Sequence, residues 1–354
     1  MFTPKSCAWQ TRAGILHING TDITTPNFIV GTARLAIPHL TPDHANQPPL
    51  AAVYAEDTWD KGGLVSACLN RSTLPLSSPL LLGAVRNPEM RPLKNKPNTD
   101  SAIAISTSQG SQMASMKDVS EFMNKLNPDI VVIPYDFPAQ SPNSSSVGKN
   151  RVVKMTSRSL KWAKELYNSR PKESAFVAVT LPPQLQTSEY LNEVNTLCNS
   201  YCFNDGCETM TRLAADSAAP DASKLRISMF NSGKLSDVIN DIAAGIDLVN
   251  VPLTQYADKG YALTVSFKNP GADKGFLNLY DDEFIADTSL LHNSGFMKGY
   301  IHHLLEAREM TAHVILQLHN TEILKQLFNE IQESITEGTF STQAEKFKQA
   351  YETL

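Results

Sequence analysis

Residues 224–251 read KLRISMFNSGKLSDVINDIAAGIDLVNV. Two short apolar runs, LRISMF (225–230) and GIDLVNV (245–251), flank a segment with helical spacing at 234–244. Strand, helix and strand in that order imply two parallel strands, because parallel neighbours need a connection long enough to return the chain to the same end of the sheet. Further runs recur towards the amino terminus: LAAVY (50–54), LLLGAV (80–85), DIVVIPYD (129–136) and AFVAVT (175–180). Helical segments at 117–126 and 156–167 follow the same rhythm. Such a count, over roughly 200 residues, suits a (β/α)8 barrel better than an open sheet, and the spacing leaves the open sheet as the alternative.

Both ends of the chain depart from that rhythm. Ile15, Ile18, Ile23, Phe28 and Val30 lie among Gly14, Asn19-Gly20 and Pro26, which reads as short antiparallel strands joined by turns. Tyr300, Leu304, Ala307, Val314 and Leu318, then Leu324, Leu327, Phe328 and Ile331, follow helical spacing. Gly338 breaks this pattern, and Phe340, Ala344, Phe347 and Tyr351 begin a last amphipathic helix. The expected organisation is one domain over 1–354. An amino-terminal β segment takes 1–48, most of a barrel 49–270, and a carboxyl-terminal helical subdomain 271–354. Residues 86–115 and 137–150 carry little apolar pattern and read as long loops.

The chain has 354 residues, 42% of them hydrophobic and 19% charged, as in an ordinary globular protein. No apolar run approaches the roughly 18–20 residues of a membrane span. The start, MFTPKSCAWQTR, has no apolar core after its charges, so a cytoplasmic location without a stable transmembrane anchor is expected. Cys7, Cys68, Cys198, Cys202 and Cys207 are read as free thiols. The gaps among the last three fit no common zinc pattern, and buried thiols around one strand are the better reading. A net charge of −5 argues against nucleic-acid binding by the chain acting alone. The local exception is KNRVVKMTSRSLKWAK (149–164), where Lys154, Arg158 and Lys161 share one helix face. That face is either simply solvated or a secondary phosphate contact to RNA.

The segment GYIHHLLEAREMTAHVILQLHN (299–320) adds a family resemblance. It is similar to the signature near the carboxyl terminus of tRNA-guanine (queuine) transglycosylases. TTPNFIVGTARLAIPHLTPD (24–43), residues 224–251 and FLNLYDDEFIADTSLL (276–291) resemble further segments of that family in the same order. The resemblance implies a barrel fold and an exchange of guanine for queuine at the wobble position of tRNAs with GUN anticodons. A carboxylate there attacks the ribose and forms a covalent intermediate, because an anion stabilises the oxocarbenium-like transition state and then bonds to it.

Carried over residue by residue, the resemblance removes that chemistry. The nucleophile position falls on Asn250, whose amide has no negative charge. Asp247 precedes it by three residues and matches a family carboxylate that does not attack. The base-contacting Asp-Ser-Gly-Gly loop is matched only by Asp100-Ser101-Ala102-Ile103, without its glycines. Asp136 is the candidate for reading the base edge. Of the family's zinc ligands, three cysteines and one histidine, only His319 remains, so no metal or other cofactor is expected. Tyr300 and His303 inherit a subunit-interface role, with Leu304 and Ala307 supplying apolar surface beside them. These losses imply a non-catalytic accessory subunit, partnered in a heterodimer by a catalytic queuine tRNA-ribosyltransferase subunit and meeting tRNA through that complex. Peripheral association with the mitochondrial outer membrane is a further implication of the family. The alternatives are an active transglycosylase using an unrecognised carboxylate, and a queuine-binding scaffold with no role in tRNA.

Overall fold

Strands buried on both faces read as continuous apolar runs, and that is what the recurrent segments become. In a computed structural model of the chain, eight parallel strands close into a barrel: β1 (Asn27–Gly31), β2 (Leu50–Tyr54), β3 (Leu80–Ala84), β4 (Ile130–Ile133), β5 (Phe176–Leu181), β6 (Ser200–Phe203), β7 (Leu225–Ser228) and β8 (Leu248–Asn250). The structure describes all residues except 5–10, 45–46, 61–62, 65–69, 88–96, 108, 137–147, 172–175, 182–187, 204–205, 216–220, 230–232, 272–273, 293 and 352–354. Cys7 and Cys68, and most of the expected loop 137–150, lie outside the described residues. Closure is made by β8 against β1, with Leu248 opposite Asn27 and Asn250 opposite Ile29.

Side chains divide by the two-residue period of a strand. Ile29, Leu50, Ala52, Tyr54, Leu82 and Ile130 belong to the cluster that fills the barrel. Their neighbours Phe28, Val30, Ala51, Val53 and Val131 pack outward against helices, among them Phe122 and Trp162. Below the barrel, Phe2–Pro4, Gly14–Ile18 and Thr21–Thr25 form a three-stranded antiparallel sheet. Leu16, Ile18 and Ile23 from this sheet join the interior cluster and plug the amino-terminal end.

Several expectations are corrected here. The antiparallel reading holds for 14–25 and fails for 27–31, where Phe28, Ile29 and Val30 are all buried as the first barrel strand. The sixth strand, Ser200–Phe203, was not among the apolar runs, since Ser200 and Cys202 interrupt them. Part of the expected loop 86–115 is a hairpin, Ala102–Thr107 paired with Gly110–Ser115. It leads directly into α1 (Met116–Leu126), whose start is fixed by a capping box between Ser115 and Asp118. The helix expected at 156–167 is longer, α2 (Lys149–Ser169). Then come α3 (Ser188–Leu197), α4 (Gly206–Ala215), α5 (Leu235–Ala243) and α6 (Leu253–Asp258).

The helical stretch from Tyr300 is interrupted. Helix α7 (Lys298–Glu306) ends where Arg308 adopts φ 57°, and α8 (Met310–Thr336) starts a new direction. Ala307 N–H donates to the His303 carbonyl and Glu309 N–H to that of Leu304, closing the turn with a left-handed residue between them. Helix α9 (Phe340–Ala350) follows the break at Gly338. Leu279, Phe284, Ile301, Leu305, Ile315 and Leu316 form a separate small core that holds this subdomain by packing. Among the described residues, no helix is long and apolar enough to cross a membrane.

Candidate functional site at the mouth of the barrel

In parallel barrels chemistry sits where the strands end, because the loops there converge on one opening. Asn250 is the last residue of β8. It has the parity of the interior-facing Leu248 and is fully buried. Its Nδ2 donates to the Met229 carbonyl at 3.4 Å, just past the end of β7. An amide in this place can hold a neighbouring strand but cannot attack a ribose carbon.

Asp247 lies before β8, at the opposite end of the barrel, roughly 10 Å along the strand from Asn250. Its carboxylate is fully buried and accepts from both Nε and Nη2 of Arg12, the former at 2.8 Å. The Arg226 backbone N–H also donates to it, at 2.7 Å. Burial pushes the Asp247 carboxyl above its ordinary value, while Arg12 and the Arg226 N–H pull against that. Asp247 is thus part of the fastening between the amino-terminal segment and the barrel floor, its carboxylate engaged by Arg12 and by the Arg226 N–H.

Three residues read separately from the sequence prove to be one cluster. Asp136, just beyond β4, is buried and accepts from Asn98 Nδ2 at 2.5 Å and from Arg158 Nη1. Arg158 Nε reaches Asp100 at 3.2 Å. Its backbone neighbour Ser159 takes the Asp136 N–H at 2.9 Å. Arg158 therefore turns from the basic face of α2 into the barrel mouth, and its guanidinium bridges the two carboxylates. Arg158 is thus engaged within the chain, whereas Lys154 and Lys161 are exposed on the same helix. Asp136 has its charge compensated from within the chain. Asp100 is exposed, Ser101 lies beside it on the surface, and the Asp100 carbonyl accepts from Trp162 Nε1 at 3.1 Å.

Glu56 was not singled out by the sequence. It follows β2 and is buried, accepting from Asn87 N–H at 2.8 Å and Ser106 N–H at 2.9 Å. Burial raises its carboxyl above the ordinary value, against the pull of those two N–H groups. It ties the end of β3 to the hairpin rather than facing the opening with free oxygens.

Among the described residues, the surroundings of His319 do not fit the zinc that the resemblance implies. Both ring nitrogens of His319 face backbone carbonyls, Nδ1 that of His292 at 2.7 Å and Nε2 that of Leu263 at 2.9 Å. A neutral imidazole donates to one of these, and neither nitrogen is left with a lone pair directed at a cation. Cys198 and Cys202 are free thiols, both buried around β6. Burial pushes Cys198 up to about 11 and Cys202 to about 12, the reverse of what a thiolate ligand needs.

The carboxyl-terminal subdomain presents a different surface. Tyr300 is 46% exposed and stacks on Phe296, itself 41% exposed, with ring centroids 6.0 Å apart. Leu290 and Met297, both exposed, face each other across a β-bridge beside them. Gly299 allows this: a Cβ there would meet the Asp287 carbonyl at 2.9 Å and that of Phe284 at 3.0 Å. The helix start can thus lie against that turn and carry Tyr300 to the surface. His303 and Ala307 are exposed, while His302 points inward to the Leu279 carbonyl at 2.9 Å. Leu304 does not supply surface; it is 8% exposed and belongs to the subdomain's own core.

A family model described as "Queuine tRNA-ribosyltransferase" matches residues 7–353. Among similar proteins, "Queuine tRNA-ribosyltransferase accessory subunit 2" of Schizosaccharomyces pombe is 30% identical over 97% of this chain and 82% of its own. The Caenorhabditis elegans protein of the same description is 25% identical over 67% of this chain and 69% of its own. "Queuine tRNA-ribosyltransferase" of Zymomonas mobilis is 24% identical over 65% of this chain and 62% of its own.

Proposed function

Because the chain belongs to the queuine tRNA-ribosyltransferase family, we propose that it is the non-catalytic accessory subunit of a heterodimeric enzyme that exchanges guanine for queuine at the wobble position of tRNAs with GUN anticodons. The observation that carries this reading is Asn250, a buried amide at the end of β8 where the family resemblance places the attacking carboxylate. The compensation of Asp136 by Arg158 supports it, since a carboxylate engaged by a guanidinium has less capacity to receive a base edge. The names of the Schizosaccharomyces pombe and Caenorhabditis elegans relatives support the accessory role.

The partner is the catalytic subunit, and it docks on the exposed face carrying Phe296, Tyr300 and His303, with Ala307 at its rim. Large aromatic side chains left half in water suit the centre of an interface, where a few anchors carry most of the affinity. tRNA is met through the complex, with the exposed Lys154 and Lys161 available to phosphates. The chain works in the cytoplasm and takes no zinc at the family's position.

The test is Asn250→Asp in the purified chain, assayed for labelled guanine exchange and for a trapped covalent tRNA adduct. The unaltered chain should give neither. A gain of adduct in Asn250→Asp would place the loss at this one residue, and continued silence would mean that the neighbouring pocket has been lost with it. Exchange by the unaltered chain alone would favour an active transglycosylase. Copurification with neither tRNA nor a catalytic homologue would favour a queuine-binding scaffold.

A further inference from the structure

We propose that His39, Asp258 and His313 form a binding site for a divalent transition metal of the zinc class. The three residues come from separate parts of the chain. His39 lies in the loop after β1, Asp258 ends α6, and His313 is in the first turn of α8. One ligand atom from each lies within 4.8 Å of the other two. His39 Nε2 is 2.7 Å from Asp258 Oδ1. The His39 and His313 rings are stacked with centroids 5.1 Å apart. With Zn–N bonds of about 2.1 Å, two imidazoles on one tetrahedral ion keep their ring centres roughly 5 Å apart. The rings already have that separation.

The tautomers suit a cation. His313 Nδ1 is 3.1 Å from the Ala257 carbonyl, which can only accept, so Nδ1 carries the proton and Nε2 the lone pair. A carbonyl fixing the far nitrogen is the usual outer support of a metal-bound histidine. At His39, an ion bound between Nε2 and the Asp258 carboxylate takes the place of their hydrogen bond; the ring binds as its Nδ1–H tautomer, and any proton displaced from the pair passes to solvent. Lys259, the nearest cation in sequence, is directed elsewhere, with Nζ 5.9 Å from the centre of the Tyr261 ring. All three ligands are partly or fully exposed, so an ion can reach them from solvent.

Two imidazoles and one carboxylate leave a fourth position for water, a set that suits zinc and excludes the all-oxygen preferences of magnesium or calcium. An ordinary surface His–Asp pair would need only the first contact; the second imidazole brought in from another helix is what makes a cage. Bound there, an ion would clamp the loops after the first and last barrel strands to the long carboxyl-terminal helix. The subdomain would regain a metal fastening at a place unrelated to His319.

The full chain, stripped with chelator, should be titrated with Co2+ and followed by the visible absorption of low-coordinate cobalt, with Zn2+ as competitor. The expected result is one equivalent bound, displaced by Zn2+ and unaffected by His319→Gln. His39→Gln, His313→Gln and Asp258→Asn should each weaken binding at least about tenfold. In parallel, Zn2+ should raise the unfolding temperature of the unaltered chain, and that of Asp258→Asn by less at the same Zn2+ concentration. Asp258 is the most exposed of the three, so this variant reads the site even if a histidine variant folds poorly. Absence of saturable binding would overturn the proposal. So would binding that persists in all three variants, or that is lost on His319→Gln or on replacing the cysteines.

Discussion

The mouth of the barrel and the exposed face of the carboxyl-terminal subdomain have opposite characters. At the mouth, polar groups are engaged with one another: Asp136 with Asn98 and Arg158, Arg158 with Asp100, Glu56 with two backbone N–H groups. On the subdomain face, Phe296, Met297, Tyr300 and Leu290 are left in water although a well-filled core lies directly beneath them. A binding pocket is expected to keep polar groups in reserve for its ligand, and a docking surface to keep apolar area in reserve for its partner. The reserve here is on the subdomain face. On the proposed reading, the difference directs the search for function to what the chain docks on, more than to what it converts.

The sharpest way to break this contrast is to truncate the docking face. Phe296→Ala combined with Tyr300→Ala should weaken heterodimer formation at least about thirtyfold, since one interface anchor is worth about 2 kcal/mol or more. Thermal stability of the isolated chain should barely change, because both rings are largely outside its core. Gel filtration and titration with the catalytic subunit would read this. Unchanged affinity would place the partner elsewhere.

The opposite pattern is expected at the mouth. Arg158→Ala leaves the buried Asp136 with Asn98 but without its cation. It should cost about 2–3 kcal/mol of stability, somewhat less than for a fully buried pair, because Arg158 is itself partly exposed. Affinity for the partner should stay the same. Denaturant unfolding and the same titration distinguish the two effects, and a variant that loses partner binding without losing stability would erase the contrast between the regions.

How much of this was legible in the sequence follows from which interactions leave a periodic trace. Leu50–Tyr54 and Leu80–Ala84 were plain because both faces are buried and every position is apolar. Asn27–Gly31 was misread because it continues the alternation of the antiparallel strands before it, and only its partners, β2 and β8, reveal the change of direction. Ser200–Phe203 was hidden by polar and sulfur-containing residues that the barrel nonetheless buries. Asn250 was marked by the family resemblance alone, through the Gly245-Ile246-Asp247-Leu248 run before it; no periodicity singles it out. The Arg158 bridge was not, since its partners lie 22 and 58 residues away and side-chain pairing over such distances has no sequence period.

The smallest effect concerns the seam under the docking face. Burial holds His319 below its ordinary value of 6.5, so the unfolded chain takes up that proton more readily than the folded one. Its stabilising contribution is complete above about 6.5 and declines as the pH falls through that value. His319→Gln should flatten this part of the stability profile. A decline of equal depth in the variant would move the titration to another group.

The central claim is that this chain is silent alone and indispensable in company. It is tested most directly by measuring exchange of labelled guanine in tRNA with this chain, the catalytic subunit, and an equimolar mixture of the two. The account predicts background exchange for this chain at any concentration, and a rate for the mixture well above that of the catalytic subunit by itself. Exchange by this chain alone, or a mixture no faster than the catalytic subunit, would contradict it.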